Sequence, residues 1–259
     1  MTRRGVISCF VAGIMAIVSG CGDERFPDLR YRLTVEVDTP TGLKTGSSVY
    51  EIKSRGYTAI LGEGGLHRFS RSLRGEAVAV DIAPGQTLFA LLRGEQSNTE
   101  LLEELPFRVF KPEGLPEGDA AKFDDRHSDI LLMTKQLLVM RDTRAVPRWT
   151  PTLNKVDPPR SDYPMLVQFA NIDDPNSVER VDPDDLAKSF GLGVRLRRIT
   201  VQITDAPLTT GIEKRLGWWT SYINRHFDGS STVTENMVTR SLSAHLNSGS
   251  FSTDIAKEP

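Results

Sequence analysis

Asp124-Asp125-Arg126-His127-Ser128-Asp129 is the densest group of metal-ligand side chains that includes a histidine. Zinc or manganese there would need ligands converging from elsewhere, because no His-Glu-x-x-His pair and no paired cysteines accompany it. A helix start uses the same residues more simply: Ser128 or Asp129 caps the first turn and the other acids sit in water. Asn171-Ile172-Asp173-Asp174-Pro175-Asn176 alternates oxygen ligands as a calcium loop does, but lacks the glycine and distal glutamate of an EF-hand. An Asx turn followed by proline accounts for it. No metal site is therefore expected.

The Gly-x-Ser-x-Gly elbow of acyl-transfer enzymes does not occur, and His67, His127, His226 and His245 are scattered with no recognisable nucleophile beside them. Gly62-Glu63-Gly64-Gly65 has the glycines of a phosphate loop without the following helix or the lysine or serine placed on the anion. Active sites can assemble from distant positions. A hydrolase using His127 and nearby acids in a cleft under the proline-rich span is therefore kept as the alternative, with its catalytic residues unassigned and no cofactor expected.

Trp218, Trp219, Tyr222 and Phe227 form the densest aromatic group. Core packing of an amphipathic helix explains them first. A groove for an envelope protein partner, formed by Trp218, Trp219 and Tyr222, comes second, and contact with a membrane interface third. A nucleic-acid partner is not expected: the formal charge is −2, and −4 once Arg3 and Arg4 are removed, with no concentrated basic run.

Those two arginines open an export signal. Arg3-Arg4 is followed by an uncharged apolar run from Gly5 to Val18, then small residues, then the polar Gly22-Asp23-Glu24-Arg25. The run is too short to span a bilayer, which takes about 20 residues. Val18-Ser19-Gly20-Cys21 resembles the lipobox of bacterial lipoproteins. The resemblance implies a diacylglyceryl thioether on Cys21, cleavage before it, and acylation of the new amino terminus, so that several acyl chains hold the protein on a membrane. Gly22, rather than aspartate, after the cysteine fits the family's outer-membrane sorting, facing the periplasm, if the cell has two membranes. The other cysteine, Cys9, lies in the removed segment, so no disulfide can form in the mature chain. The twin-arginine export pattern is not completed.

The rest of the chain must supply a folded module. Tyr31 to Asp38 alternates apolar and polar residues, a turn follows at Thr39-Pro40-Thr41-Gly42, and Ser48 to Lys53 alternates again. A second hairpin runs from Gly75 to Ile82, turns at Ala83-Pro84-Gly85-Gln86 and returns over Thr87 to Leu92. Helices are predicted from Asn98 to Leu105, stopped by Pro106, and from about Ser128 to Arg141. Five prolines between 147 and 164 then impose extended chain, either a subdomain boundary near 142–164 or a covering loop. Met165 to Ala170 reads as a buried strand. Asp182-Pro183 starts a helix ended by Gly191, Val194 to Thr204 is a strand whose phase slips at Arg197-Arg198, and Thr210-Gly211-Ile212-Glu213 has capping-box spacing for a helix through Ile223.

The motifs Val181-Asp182-Pro183-Asp184-Asp185-Leu186 and Thr209-Thr210-Gly211-Ile212-Glu213-Lys214-Arg215-Leu216 are similar to those of bacterial lipoproteins of unknown function, which implies an exported, lipid-anchored class and no catalytic residue. The expected organisation is a signal peptide over 1–20, a tether over 21–29, an α+β ectodomain over 30–227 with an antiparallel sheet built from hairpins and a few short covering helices, and a polar, loosely ordered tail over 228–259. The expected function is a non-catalytic binding or accessory module of the cell envelope. An uncovered strand edge pairing with another chain is a third reading.

Overall fold

The computed structural model describes residues 24–59, 66–96, 99–112, 127–150, 159–231 and 241–254. The lipobox, the Gly62–Gly65 loop and Asp124–Arg126 lie outside these residues, as does the side chain of His127. The elements are β1 (Glu24–Arg25), β2 (Leu29–Thr39), β3 (Gly42–Ala59), β4 (Leu66–Arg74), β5 (Val78–Ala83), β6 (Gln86–Gly94), α1 (Leu101–Phe110), α2 (His127–Val139), β7 (Thr143–Ala145), β8 (Trp149–Thr150), β9 (Arg160–Ser161), β10 (Pro164–Phe169), β11 (Val178–Arg180), α3 (Ala187–Phe190), β12 (Arg195–Ile203) and α4 (Ile212–Arg215). Every pairing is antiparallel, and the class is α+β as the hairpins predict.

The large sheet has the order β1-β3-β2-β12-β7, with β4 on β3. Because β4 takes residues 51–59 of β3, β1 and β2 must share the opposite edge of that long strand. Along β2, Leu29, Tyr31, Leu33, Val35 and Val37 point inward while Arg30, Arg32, Thr34 and Glu36 point out, the two-residue period of a half-wet sheet. The predicted phase slip in β12 is a register shift between Leu196 and Arg198.

The second sheet, β11-β10-β6-β5, is covered on both faces. Leu88, Ala90 and Leu92 enter the core shared with the large sheet, α1 and α2. Phe89 and Leu91 enter a second core with Met165, Val167, Phe169, Trp219, Phe227 and Phe251. This is why the strand reads as an unbroken apolar run rather than an alternation. Where the two sheets meet, a Cβ on Gly46 would stand 2.1 Å from the Ala79 carbonyl oxygen, so only glycine fits.

Pro106 does not stop α1, which continues to Phe110. A proline inside a helix leaves the carbonyl four residues earlier without its amide partner. Here that carbonyl belongs to Leu102, and the buried Tyr31 hydroxyl donates to it at 2.7 Å. Burial of Phe107, Val109 and Phe110 then holds the last turn.

Other expectations are corrected. The tether is not free over its length: Glu24–Arg25 pairs with β3, and Phe26 and Leu29 are buried. At the start of residues 142–164, β7 joins β12 and Val146 enters the first core, which fits the covering-loop alternative. The tail is ordered over 241–254: the Ala77 amide donates to the Phe251 carbonyl, and Leu246 and Phe251 are fully buried. Composition misled there because two large apolar residues outweigh the serines around them. The helix from Asp182 shrinks to α3, with Asp182 turned back onto the Asp184 amide. The helix through Ile223 breaks after α4, and a separate 3₁₀ turn covers Trp219–Tyr222.

Candidate functional site

Two polar regions flank α1. The first lies beneath the described part of the proline-rich span. Arg108 donates through Nε and Nη2 to Glu104 Oε2, at 3.0 and 2.8 Å, and through Nη1 to Asp162 Oδ1 at 3.0 Å. Thr150 Oγ1 donates to the other oxygen of Asp162, whose side chain is 1 % exposed. Next to it, Arg148 donates through both terminal nitrogens to Glu95 and through Nη2 to Asp184 Oδ2 at 3.1 Å, and it lies over the rings of Trp149 and Tyr163. Ser161 Oγ donates to Glu95 Oε2 at 2.6 Å and accepts from Arg148 Nη1. Each of these guanidiniums is matched by carboxylates, so the region is a clamp that ties the span to β6 and α1. Ser161 is held between an acid and a cation, and the Glu95 carboxylate that accepts from it is already paired with Arg148.

The second region is an open cleft of about 580 Å³, bounded by Arg71, Ser72 and Leu73 of β4, Arg93 of β6, Glu103 of α1, and the segment from His245 to Thr253. Its volume is that of a small-molecule site. Arg93 is half-buried, and its Nη1 donates to the His245 carbonyl at 3.1 Å. Its buried Nε has no hydrogen-bond partner, and no carboxylate pairs with it among the described residues. Burial, and then the nearby charge of Arg180, push its guanidinium below the usual value. Glu103 is raised above the ordinary carboxylate range, chiefly by burial, and Arg71 opposes that rise. Arg71 itself lies over the Phe107 ring and 4.0 Å from Glu104 Oε1. The wall thus carries two guanidiniums, hydroxyls and an amide around a carboxyl that resists ionising. Such a wall is electrostatically suited to an anionic group.

The aromatic group falls elsewhere. Trp219 is 1 % exposed and donates through Nε1 to the Ser248 carbonyl, so it cannot meet a partner. Trp218 donates to the Ile172 carbonyl at 2.7 Å and packs edge-on against Phe169, Phe227 and Tyr222. Trp219 is therefore part of the second core, and Trp218 and Tyr222 pack against that core while staying partly exposed. The Asn171–Asn176 loop closes on itself: Asn171 Oδ1 accepts from the Asp173 amide and Asp174 Oδ1 from the Asn176 amide. Sequence reasoning missed Arg71, Arg93 and Glu103, and reached His245 only as one of four histidines. The single hint is the charge of Arg93 directly after the apolar run of β6.

Comparison with protein-family models, with curated proteins and with solved structures returned no match.

Proposed function

We propose that the chain is a lipid-anchored binding module of the cell envelope, held through Cys21 and taking an anionic small molecule, or the anionic group of a larger one, in the Arg93 cleft. The lipobox resemblance supports the anchor and its placement, outer membrane facing the periplasm where the cell has two membranes. The observation that carries the binding role is Arg93: a half-buried cation without a carboxylate is costly to the fold unless a ligand completes it. Sulfate and malonate, a tetrahedral dianion and a dicarboxylate, probe this directly. At low millimolar concentration and constant ionic strength, one or both should raise the melting temperature of the wild type and leave Arg93→Met unmoved. No shift with either, or an equal shift in the variant, refutes the cleft. Mass spectrometry of the mature amino terminus tests the anchor, with a bare Cys21 thiol as the refuting result.

A further inference from the structure

The way the chain enters the fold fixes where a lipid on Cys21 must lie. Glu24 pairs with Gly56 and Arg25 with Arg55, and the buried Phe26 and Leu29 fasten this segment to the body. Only Gly22 and Asp23 separate Cys21 from Glu24. Three peptide steps reach at most about 11 Å, so the bilayer surface must come that close to β1.

The side chains at that end of the large sheet are basic. Glu51, Lys53 and Arg55 share one face of β3 by the two-residue period, and Arg30 of β2 and Arg74 of β4 both stand opposite Glu51 in register. Glu51 is 2 % exposed and pairs with Arg30 at 2.7 Å, Arg74 at 3.3 Å and Lys53 at 3.4 Å. Arg55 is exposed and has no carboxylate partner among the described residues. A single carboxylate, Glu51, thus serves Arg30, Lys53 and Arg74, which leaves positive charge in excess there. A basic surface next to an acyl anchor is the two-signal arrangement by which proteins hold to anionic leaflets.

We infer that this face, Arg30, Lys53, Arg55 and Arg74, lies on the anionic headgroups of the membrane that carries the Cys21 lipid, so that the module is seated on the bilayer in one orientation. The inference rests on the lipid-anchor reading above. From Arg55 back to Gly42, β3 runs 13 residue steps, about 43 Å at 3.3 Å each, so seating on this basic end leaves the Pro40–Thr41 turn at the end of the sheet farther from the anchor.

The lipidated protein, reconstituted in phosphatidylethanolamine vesicles containing phosphatidylglycerol, tests this. Cysteine is introduced for a fluorophore at Ser70, which faces Arg55 in register, or at Thr41. A nitroxide on the lipid should quench the Ser70 label several-fold more than the Thr41 label, and 0.5 M salt should at least halve the difference. Lys53→Glu/Arg55→Glu should abolish it, and Lys53→Gln/Arg55→Gln, milder for folding, should weaken it. Equal quenching at the two sites, or a difference that survives both double variants in folded protein, overturns the orientation. Mass spectrometry of the same sample separates the two readings. If Cys21 is bare, the anchor fails, and the face is then judged by sedimentation of the unlipidated chain with phosphatidylglycerol vesicles. Salt-sensitive binding lost in Lys53→Glu/Arg55→Glu supports it, and no binding overturns it.

Discussion

The clamp under the proline-rich span and the cleft on the other side of α1 are built from the same residue types and differ in how their charges are settled. Around Asp162 and Glu95 every guanidinium is matched by carboxylates, and a serine and a threonine fill remaining acceptor positions. In the cleft, Arg93 keeps a buried Nε without a partner, and Glu103 is held towards its neutral form instead of pairing with it. The difference teaches which polar cluster is structure and which is a site. A satisfied network stiffens a loop; an incomplete one is complementary to something else.

The largest effect should come from breaking the clamp. Asp162→Ala leaves Arg108 facing one acid instead of two and Thr150 without its acceptor, which should lower stability by about 3 kcal/mol in denaturant unfolding. In the cleft the expected effect reverses. Arg93→Met removes a desolvated charge, so it should change stability by less than about 1 kcal/mol, or raise it, while anion binding disappears. A large stability loss in Arg93→Met would erase the distinction between the regions.

Glu103 sharpens the comparison through pH. Its folded pKa is raised by burial, so its contribution to stability is fully present below the ordinary glutamate range and is lost as pH rises through the folded value. Glu103→Gln should therefore gain on the wild type across that window in thermal unfolding. Sulfate, whose charge is constant there, should bind the wild type more tightly as pH falls, and this dependence should flatten in the variant. The smallest effect belongs to a pair outside both regions: Arg215→Ala removes the exposed ion pair with Asp81, at 2.7 Å, and should cost under about 1 kcal/mol.

What could be read from the chain tracks how local each cause is. The alternation of Tyr31 to Asp38, the turn chemistry at Pro84-Gly85 and the phase slip at Arg197-Arg198 are short-range signals, and each appears in the fold as a strand, a hairpin turn and a register shift. Pro106 was misjudged because the hydroxyl that rescues its helix comes from Tyr31, 71 positions before Leu102. The capping-box spacing at Thr210 overstated its helix, which ends at Arg215 with Gly217 following before the next turn begins. The cleft was illegible for a stronger reason. Its wall is drawn from β4, β6, α1 and the last described segment, four stretches with no sequence relation to one another.

The seam between residues 75–89 and residues 251–253 has a temporal consequence. Phe251 accepts from the Ala77 amide and packs on Phe89, while Ser252 bridges Glu76 and Thr253 caps Gly75. β5 and β6 therefore wait, with one apolar side uncovered, until residues 246–253 emerge. During synthesis, β5 and β6 would be a sticky intermediate rather than a finished unit, and a nascent chain cut short before residue 241 would present Phe89 and Phe169 to chaperones and proteases.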